Sequence, residues 1–230
     1  MSTGPISRFP VPPRDELPEQ LRERYAEVEE RSGFLPNVFA ALAWRPAEAA
    51  AFFALHDALM DKDTPGLSTA DRELVVVATS AANDCLYCVV AHGAIARIRA
   101  RDPYLADQVA VDWRKAPVSE RLHAVLEVAV RLAVDPAAVT AADLDRLRGH
   151  GLTEDDVWDV GAIVSLFALS NRLAHWAAIP PNEEFFLMGR VPRRELRSRE
   201  DCTGSPRGGS ACRHRPVPTR AGRRHARRRR

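Results

Sequence analysis

The chain has 230 residues, with 33 Lys and Arg against 31 Asp and Glu, 46% hydrophobic residues, four Cys and 17 Pro. This length allows one domain with a sizeable core or two small domains. The net charge of +2 conceals an asymmetry, because residues 191–230 contain fourteen Arg and three acidic residues while residues 1–190 carry a formal charge of −9. We therefore expect an acidic folded domain over 1–190, followed by a basic tail over 191–230.

Three classes of protein are disfavoured by the composition. The polar, Pro-rich start, Met1 to Pro13, has no basic segment followed by an apolar one, so no secretory signal is expected. The most membrane-like stretch, Leu74 to Ala96, is interrupted by Asn83, Asp84 and His92, and a charge near a bilayer centre costs about 2.5–3.5 kcal/mol on insertion scales. Four Cys are too few for a disulfide scaffold. We expect a cytoplasmic protein without a membrane segment, in which a close Cys pair serves chemistry or metal binding.

Helical periodicity dominates the first sixty residues of the chain. Residues 14–32 repeat an apolar side chain every three or four positions, which predicts a surface helix that ends at Gly33. A break at Pro36 precedes a short apolar run. The next helix is predicted over 47–60, because Pro46 suits the first turn of a helix.

Three later helix starts share one capping pattern, in which a Ser or Thr stands three residues before an Asp. Side chains at that spacing satisfy free backbone amides, a contribution of about 1 kcal/mol per cap. The pattern occurs at Ser68/Asp71, Thr140/Asp143 and Thr153/Asp156 and predicts helices over 69–83, 141–149 and 154–177. A further helix is predicted over 118–134 from its apolar face. Because strand alternation is nearly absent, the predicted fold class is all-α.

A pair of Cys and one His form the chemically informative segment. Asn83 and Asp84 are typical helix N-cap residues, so a helix is expected to begin at or just before Cys85. Cys85 and Cys88 then lie in its first turn, where the helix dipole favours a thiolate and lowers a Cys pKa from its ordinary value of about 8.5. Two Cys at this spacing can form a reversible disulfide. His92 lies on the same helical face as Cys88 and is the nearest sequence-local base for that thiol.

Glu73 is the candidate partner of this His. It precedes the apolar run Leu74 to Ala82 in the preceding predicted helix. If that helix packs against the Cys helix, the Glu73 carboxylate can hydrogen-bond His92 and fix its tautomer, or relay protons.

The same residues also admit a metal site. Cys85, Cys88 and His92 are three plausible zinc ligands, and Glu73 or His56 is a candidate fourth ligand. Residues 1–190 contain no second CxxC motif, which favours redox chemistry over a structural zinc site.

Other polar and aromatic side chains are expected to be structural. The candidates for core or interface positions are His56 and His175. The candidates for core positions, by their helical spacing, are Phe52, Phe53, Trp158 and Phe167. Asn171 and Arg172 are expected to line an interface or to hold the long helix against its neighbours.

The spacing Glu73-x11-Cys85-x2-Cys88-x3-His92 resembles the alkylhydroperoxidase D-like branch of the carboxymuconolactone decarboxylase superfamily. The segment Gly33-Phe34-Leu35-Pro36-Asn37-Val38-Phe39 and the pair Asn171-Arg172 resemble its peroxidase-related subgroup, so the resemblance covers roughly residues 15–190. It implies a compact helical fold that assembles into homo-oligomers and uses neither a metal nor an organic cofactor.

The resemblance also implies roles for the four site residues. Cys88 would be the peroxidatic thiol that attacks a small hydroperoxide, Cys85 the resolving thiol, and His92 with Glu73 a proton relay. An external dithiol or a reductant of thioredoxin or lipoyl type would then reduce the resulting disulfide. One departure is that the founding branch has a His between the two Cys, where this chain has Leu86-Tyr87.

Two functional hypotheses remain open at this point. The first is a thiol-dependent hydroperoxide reductase, an antioxidant enzyme of the peroxiredoxin type. The alternative is a redox-sensing or binding protein that uses the same dithiol as a switch without efficient turnover. A lactone decarboxylase is disfavoured, because that branch of the superfamily does not depend on a CxxC pair.

The basic tail is expected to be disordered, because its Gly, Ser, Pro and Arg composition cannot bury enough apolar surface to offset the ordering entropy. Its charge suits salt-dependent contact with nucleic acid, but it lacks interleaved aromatic residues, so no nucleic-acid partner is expected. Cys202 and Cys212 in this tail are expected to be adventitious.

Overall fold

Helices form the regular structure of residues 4–190, which are the part of the chain that the computed structural model describes. No strand occurs in this part, and the all-α prediction is confirmed. The predicted tail over 191–230 lies outside the described residues. The helices are α1 Glu19–Ser32, α2 Asn37–Leu42, α3 Pro46–Met60, α4 Thr69–Ala82, α5 Leu86–Ala100, α6 Leu105–Asp112, α7 Glu120–Val134, α8 Ala141–Gly149, α9 Glu154–Ala177 and α10 Glu184–Leu187. Single 3-10 turns span Arg14–Glu16 and Pro136–Ala138.

The helix ends follow the local sequence closely. At all three predicted capping boxes, the backbone N–H of the Ser or Thr donates to the Asp carboxylate three residues later, at 3.0, 2.8 and 2.8 Å. The helices that follow match their predicted bounds to within one residue. Gly33 ends α1 in the left-handed conformation at φ +90°, which glycine adopts without a steric penalty.

The structure differs from the sequence-based expectations at several elements. The first helix begins at Glu19, after a separate 3-10 turn, because Pro18 occupies its N-cap position. Helix α6 was not predicted, although Asp102 caps it by accepting from the backbone N–H of Leu105 at 3.1 Å. The core assignment of Trp158 is wrong, because this side chain is 76% exposed on α9, whereas Phe53 and Phe167 are buried.

Helix α4 is the central helix of the fold. Nine consecutive residues, Arg72 to Ser80, are buried, so this helix needs neighbours on every side, and α5, α6, α7 and α9 supply them. The buried guanidinium of Arg72 is paired with Asp159 of α9 at 2.8 Å, since an unpaired charge there would be strongly destabilising. The second buried charge of α4 is Glu73.

The core consists of three apolar clusters. The largest lies between α4, α7 and α9, and another joins α1, α2 and α3. The remaining cluster contains Cys85 and Cys88 together with Ala174 of α9 and Phe185 of α10. The Cys pair therefore lies where the beginning of α5 meets the end of α9.

Helix α9 is, within residues 4–190, the one helix whose length and composition would allow it to cross a membrane. Half of its most apolar window is buried inside the protein, which is the arrangement of a core helix. Length and composition alone are therefore weak evidence for a membrane segment.

The carboxylate of Asp156 joins the start of α9 to the loop before α4. It is fully buried and accepts from the backbone N–H groups of Thr153 at 2.8 Å and Gly66 at 3.1 Å, and from the Thr64 hydroxyl. A Cβ atom at Gly66 would lie 2.5 Å from Asp156 Oδ2, so this approach requires glycine.

Replacing Asp156 with Ala should lower the free energy of unfolding by about 3 kcal/mol, because the helix cap is lost and the Gly66 N–H is left buried without a partner. Denaturant unfolding followed by circular dichroism measures this loss. The matched control is Asp155→Ala, since Asp155 is exposed in the same first turn and should contribute less than about 1 kcal/mol. Equal losses in the two variants would contradict the assignment.

Candidate active site

The turn between α4 and α5 places the two thiols. Asp84 adopts the left-handed conformation at φ +54°, which Asp tolerates better than most residues. The chain then reverses, and the Cys85 N–H donates to the Ser80 carbonyl at 2.9 Å. Cys85 itself is the N-cap residue of α5, so the expectation that Asn83 or Asp84 caps this helix is wrong: Asn83 ends α4 instead.

Cys85 and Cys88 are both free and 1% exposed. The Cys88 thiol donates to the Cys85 sulfur, and this hydrogen bond lowers the pKa of Cys85 to about 7 against the opposing effect of burial. Backbone amides of the first turn and the imidazole of His175 add to the effect. The same hydrogen bond, together with burial and the charge on Cys85, raises the pKa of Cys88 well above its ordinary value. Of the two thiols, Cys85 is therefore the one that ionises first.

Helix α9 supplies polar neighbours to Cys88. Ser170 Oγ lies 3.7 Å from Cys88 Sγ, and hydrogen bonds from Ser170 and Asn171 favour the Cys88 thiolate against burial. Asn171 is buried and donates to Ser80 Oγ of α4 at 3.0 Å, so it holds the long helix as expected. Arg172 instead is exposed and donates to a carbonyl of its own helix, so it is not the anchor that the sequence suggested.

Glu73 and His92 are in direct contact across the α4–α5 interface. His92 Nδ1 lies 2.7 Å from Glu73 Oε2, and the two side chains are 11% and 1% exposed. Because a carboxylate oxygen accepts, Nδ1 carries the proton and Nε2 is left as the basic nitrogen. His92 also lies one helical turn beyond Cys88 on the same face of α5. The structure thus brings Glu73 into contact with His92 and Cys85 into contact with Cys88, the two pairs being one turn apart along α5.

Arg99 is a site residue that the sequence analysis missed. Its Nη1 lies 3.2 Å from Glu73 Oε1, on the side of the carboxylate away from His92. The available signal was its position seven residues after His92, which places both on the same face of α5 two turns apart.

A second imidazole lies beside the first. The rings of His56 and His92 have centroids 6.1 Å apart, and Phe167 packs perpendicular to His92 at 4.6 Å. His56 Nδ1 lies 3.3 Å from Asp57 Oδ1, and Arg24 pairs with the same carboxylate at 2.7 Å. These contacts, that of His56 foremost and then those of Arg24, hold the pKa of Asp57 far below its usual range. The sequence placed His56 in a core or interface, whereas the structure places it half-buried at the site.

The residues between the two Cys point away from the thiol chemistry. Leu86 is 63% exposed. The Tyr87 hydroxyl accepts from the backbone N–H of Val38 at 3.3 Å, and its ring packs edge-on against Phe185. Burial raises the pKa of Tyr87 above its ordinary value, so this hydroxyl does not serve as a base near neutral pH.

Residues 4–190 contain no group of three or more His, Cys, Asp and Glu side chains arranged to hold a metal ion. The zinc site considered from the sequence, with Cys85, Cys88 and His92 as ligands, is therefore not assembled in this part of the chain. Two free, buried thiols on the same helix as a His oriented by a carboxylate can instead perform thiol–disulfide and sulfenic acid chemistry.

Comparisons with known proteins agree with this arrangement. A family model described as the carboxymuconolactone decarboxylase family matches residues 46–103. The crystal structure of an "alkylhydroperoxidase AhpD core: uncharacterized peroxidase-related protein" from Ralstonia eutropha JMP134 is 54% identical, with a TM-score of 0.79 over 83% of this chain and 100% of the other. A peroxidase-related protein from Silicibacter sp. TM1040 is 32% identical, with a TM-score of 0.77 over 83% of this chain and 99% of the other.

A more distant match concerns the fold alone. The debrominase Bmp8 in complex with 2,3,4-tribromopyrrole is 19% identical, with a TM-score of 0.65 over 78% of this chain and 95% of the other. No curated protein gives a significant match. The two nearer relatives are 54% and 32% identical to this chain over 100% and 99% of their own length, and the AhpD name of the first agrees with the family model. The chain therefore belongs to the carboxymuconolactone decarboxylase and AhpD-like superfamily.

Proposed function

We propose that this chain is a thiol-dependent hydroperoxide reductase in which Cys88 reduces the peroxide and Cys85 resolves the oxidised thiol. The observation that carries the proposal is a pair of free, buried thiols at the start of the helix that also presents His92, which Glu73 orients. The names of the two nearer relatives, both "peroxidase-related", agree with this chemistry. Family membership alone suggests a peroxidase-related antioxidant role without specifying the substrate or the reacting thiol.

In the first step, His92 Nε2 removes the proton from the Cys88 thiol. The Cys88 thiolate attacks the terminal oxygen of the hydroperoxide, the O–O bond breaks, and Cys88 becomes a sulfenic acid. The leaving alkoxide, or hydroxide when the substrate is hydrogen peroxide, takes the proton from His92 and departs as an alcohol or water. Two electrons pass from the Cys88 sulfur to the peroxide.

In the second step, the Cys85 thiolate attacks the Cys88 sulfenic sulfur. A Cys85–Cys88 disulfide forms, and hydroxide leaves and takes a proton from solvent to become water. The low pKa of Cys85 suits this step, because the resolving sulfur is already a thiolate near neutral pH. An external dithiol of lipoyl or thioredoxin type then reduces the disulfide by exchange and is itself oxidised.

The decisive experiment is peroxide consumption by the full chain with excess dihydrolipoamide, in a background where Cys202→Ser and Cys212→Ser remove the tail thiols. Multiple turnovers are expected. Cys88→Ser should abolish them, and His92→Ala should slow them by about 100-fold or more, because the general base is lost. The matched control is His123→Ala, which removes an imidazole from α7, away from the site.

Two other results of this experiment are informative. Formation of one equivalent of disulfide without turnover would contradict the reductase and support the alternative, a redox-sensing or binding protein. If neither thiol is oxidised by peroxide, the redox assignment itself is wrong.

The ionisation of the Cys pair gives an independent prediction. In the same tail-thiol-free background, thiolate absorbance at 240 nm should rise with a midpoint near pH 7, because the pKa of Cys85 is about 7. Cys85→Ser should remove this step. Cys88→Ala should move it upward toward the ordinary Cys value of about 8.5, because the hydrogen bond that stabilises the Cys85 thiolate is lost, whereas a Ser hydroxyl would still donate.

The two single variants control for each other. If Cys85→Ser retains the step near pH 7 and Cys88→Ala loses it, the thiol that ionises first is Cys88 and the assignment above is wrong. Neither result requires catalytic turnover.

We also propose that the chain forms homo-oligomers through the apolar face between α3 and α9. A groove of about 550 Å³ lies there, and its rim exposes Trp44, Leu55, Leu169 and Trp176, each at least 47% exposed. Exposed apolar patches of this kind mark interaction surfaces. The family resemblance favours a second copy of the chain as the occupant.

Light scattering coupled to size exclusion should give a mass of at least two chains for the full-length protein. Leu169→Glu should reduce that mass, because it places a charge in the apolar contact at a position where the free chain tolerates it. Val111→Glu is the control, since Val111 is 87% exposed on α6 and lies outside the groove. A monomer at micromolar concentration would contradict the proposal.

A further inference from the structure

Arg99 closes the outer side of the buried Glu73 carboxylate. Its guanidinium lies 3.2 Å from Glu73 Oε1 and donates to the Met60 carbonyl at 2.9 Å and to Asp61 Oδ1 at 2.8 Å. These two contacts fix the guanidinium at the end of α3. The opposite oxygen, Oε2, is occupied by His92 Nδ1 at 2.7 Å. Each oxygen of the carboxylate therefore has its own partner.

The two partners balance the charge of Glu73 in different ways. A carboxylate that is 1% exposed needs a compensating positive charge or a proton. Without Arg99, that compensation would have to come from a protonated His92 or from a protonated Glu73. Asp61, the other carboxylate that Arg99 contacts, is half-exposed and solvated, so the charge that Arg99 balances inside the protein is that of Glu73, while His92 stays neutral.

We propose that Arg99 is a positioning residue that keeps Glu73 a carboxylate, so that His92 donates through Nδ1 and presents Nε2 as a base to Cys88. Glu73 then orients His92 and carries no proton itself. In this scheme the proton moves from the Cys88 sulfur to His92 Nε2 and then to the leaving oxygen. The inference rests on the proposed function for its assignment of His92 as the base.

The surroundings of His92 support this role. The titratable and charged groups that face it are His56 from α3, Glu73 from α4, and Cys88 and Arg99 from its own helix, while α9 contributes the uncharged ring of Phe167. Among these, the carboxylate that His92 contacts is the group that favours its protonated form. A cation on the far oxygen of that carboxylate opposes this effect.

The test compares Arg99→Met and Arg99→Lys with the unaltered full chain by two measurements. The first is the pH–rate profile of peroxide turnover. The second is the NMR titration of the His92 imidazole, identified by the signal that His92→Ala removes. In Arg99→Met, the acid limb of the profile and the His92 midpoint should both move upward by about one pH unit, because His92 protonation becomes the remaining way to balance Glu73. Arg99→Lys should restore most of both values.

The matched control is Arg121→Met. Arg121 pairs with Asp71 at 3.0 Å, and its side chain is 31% exposed, against 25% for Arg99. The Arg121→Met variant therefore removes a similar ion pair outside the site. Its pH profile and His92 midpoint should be unchanged. A variant Arg99→Met that loses stability or rate with an unmoved His92 midpoint would overturn the proposal and leave Arg99 a merely structural role.

The two measurements also separate this inference from the proposed function. If no protein in the series turns over peroxide, the reductase assignment fails, yet the His92 titration still shows whether Arg99 sets its protonation. If turnover is present and the midpoint does not move, the reductase stands and the inference about Arg99 fails.

Discussion

A carboxylate buried in the central helix of the fold, α4, sets the requirements for the whole site. Glu73 sits among nine consecutive buried residues of α4, where an uncompensated charge would cost several kcal/mol. Helix α5 meets this requirement with His92 and Arg99, which lie on one face and reach opposite oxygens of the carboxylate. The packing of α4 against α5 and the chemistry of the site are therefore set by the same contacts.

The thiols depend on a second constraint, which is the geometry of the α4–α5 turn. Because Asp84 takes a left-handed conformation, α5 begins only at Leu86, and Cys85 occupies the N-cap position. The two sulfurs consequently differ: one accepts a hydrogen bond and backbone amides help to stabilise its charge, while the other donates and packs against Ser170. Two Cys that look equivalent in the sequence thus differ in their hydrogen bonding and in their pKa. The proposed division into a peroxidatic and a resolving thiol needs such a difference.

The sequence was sufficient to predict those features whose determinants lie within a few residues of each other along the chain. Capping boxes and helical periodicity defined α4, α8 and α9 to within a residue, and the Glu-Cys-Cys-His spacing located the site. The sequence was insufficient to predict contacts between residues that are far apart along the chain. Ser170 and Phe167 reach the site only through the packing of α9, and Arg99 shows its function only once Glu73 has been placed beside it. Trp158 shows the opposite case, since its helical spacing resembles that of a core residue although it faces outward.

The burial of both sulfurs has a consequence for the reducing half of any catalytic cycle. A disulfide exchange requires the attacking sulfur to approach nearly in line with the S–S bond, yet Cys85 and Cys88 are each 1% exposed and belong to one apolar cluster with Ala174 and Phe185. A folded protein reductant would therefore reach the disulfide only after a local opening of the helix ends that pack around the two Cys. A small dithiol, or one carried on a flexible side chain, would need a smaller opening. The frequency of that opening would then determine which reductants can react, because larger ones need a larger opening. Backbone amide hydrogen exchange at the end of α9 would measure it.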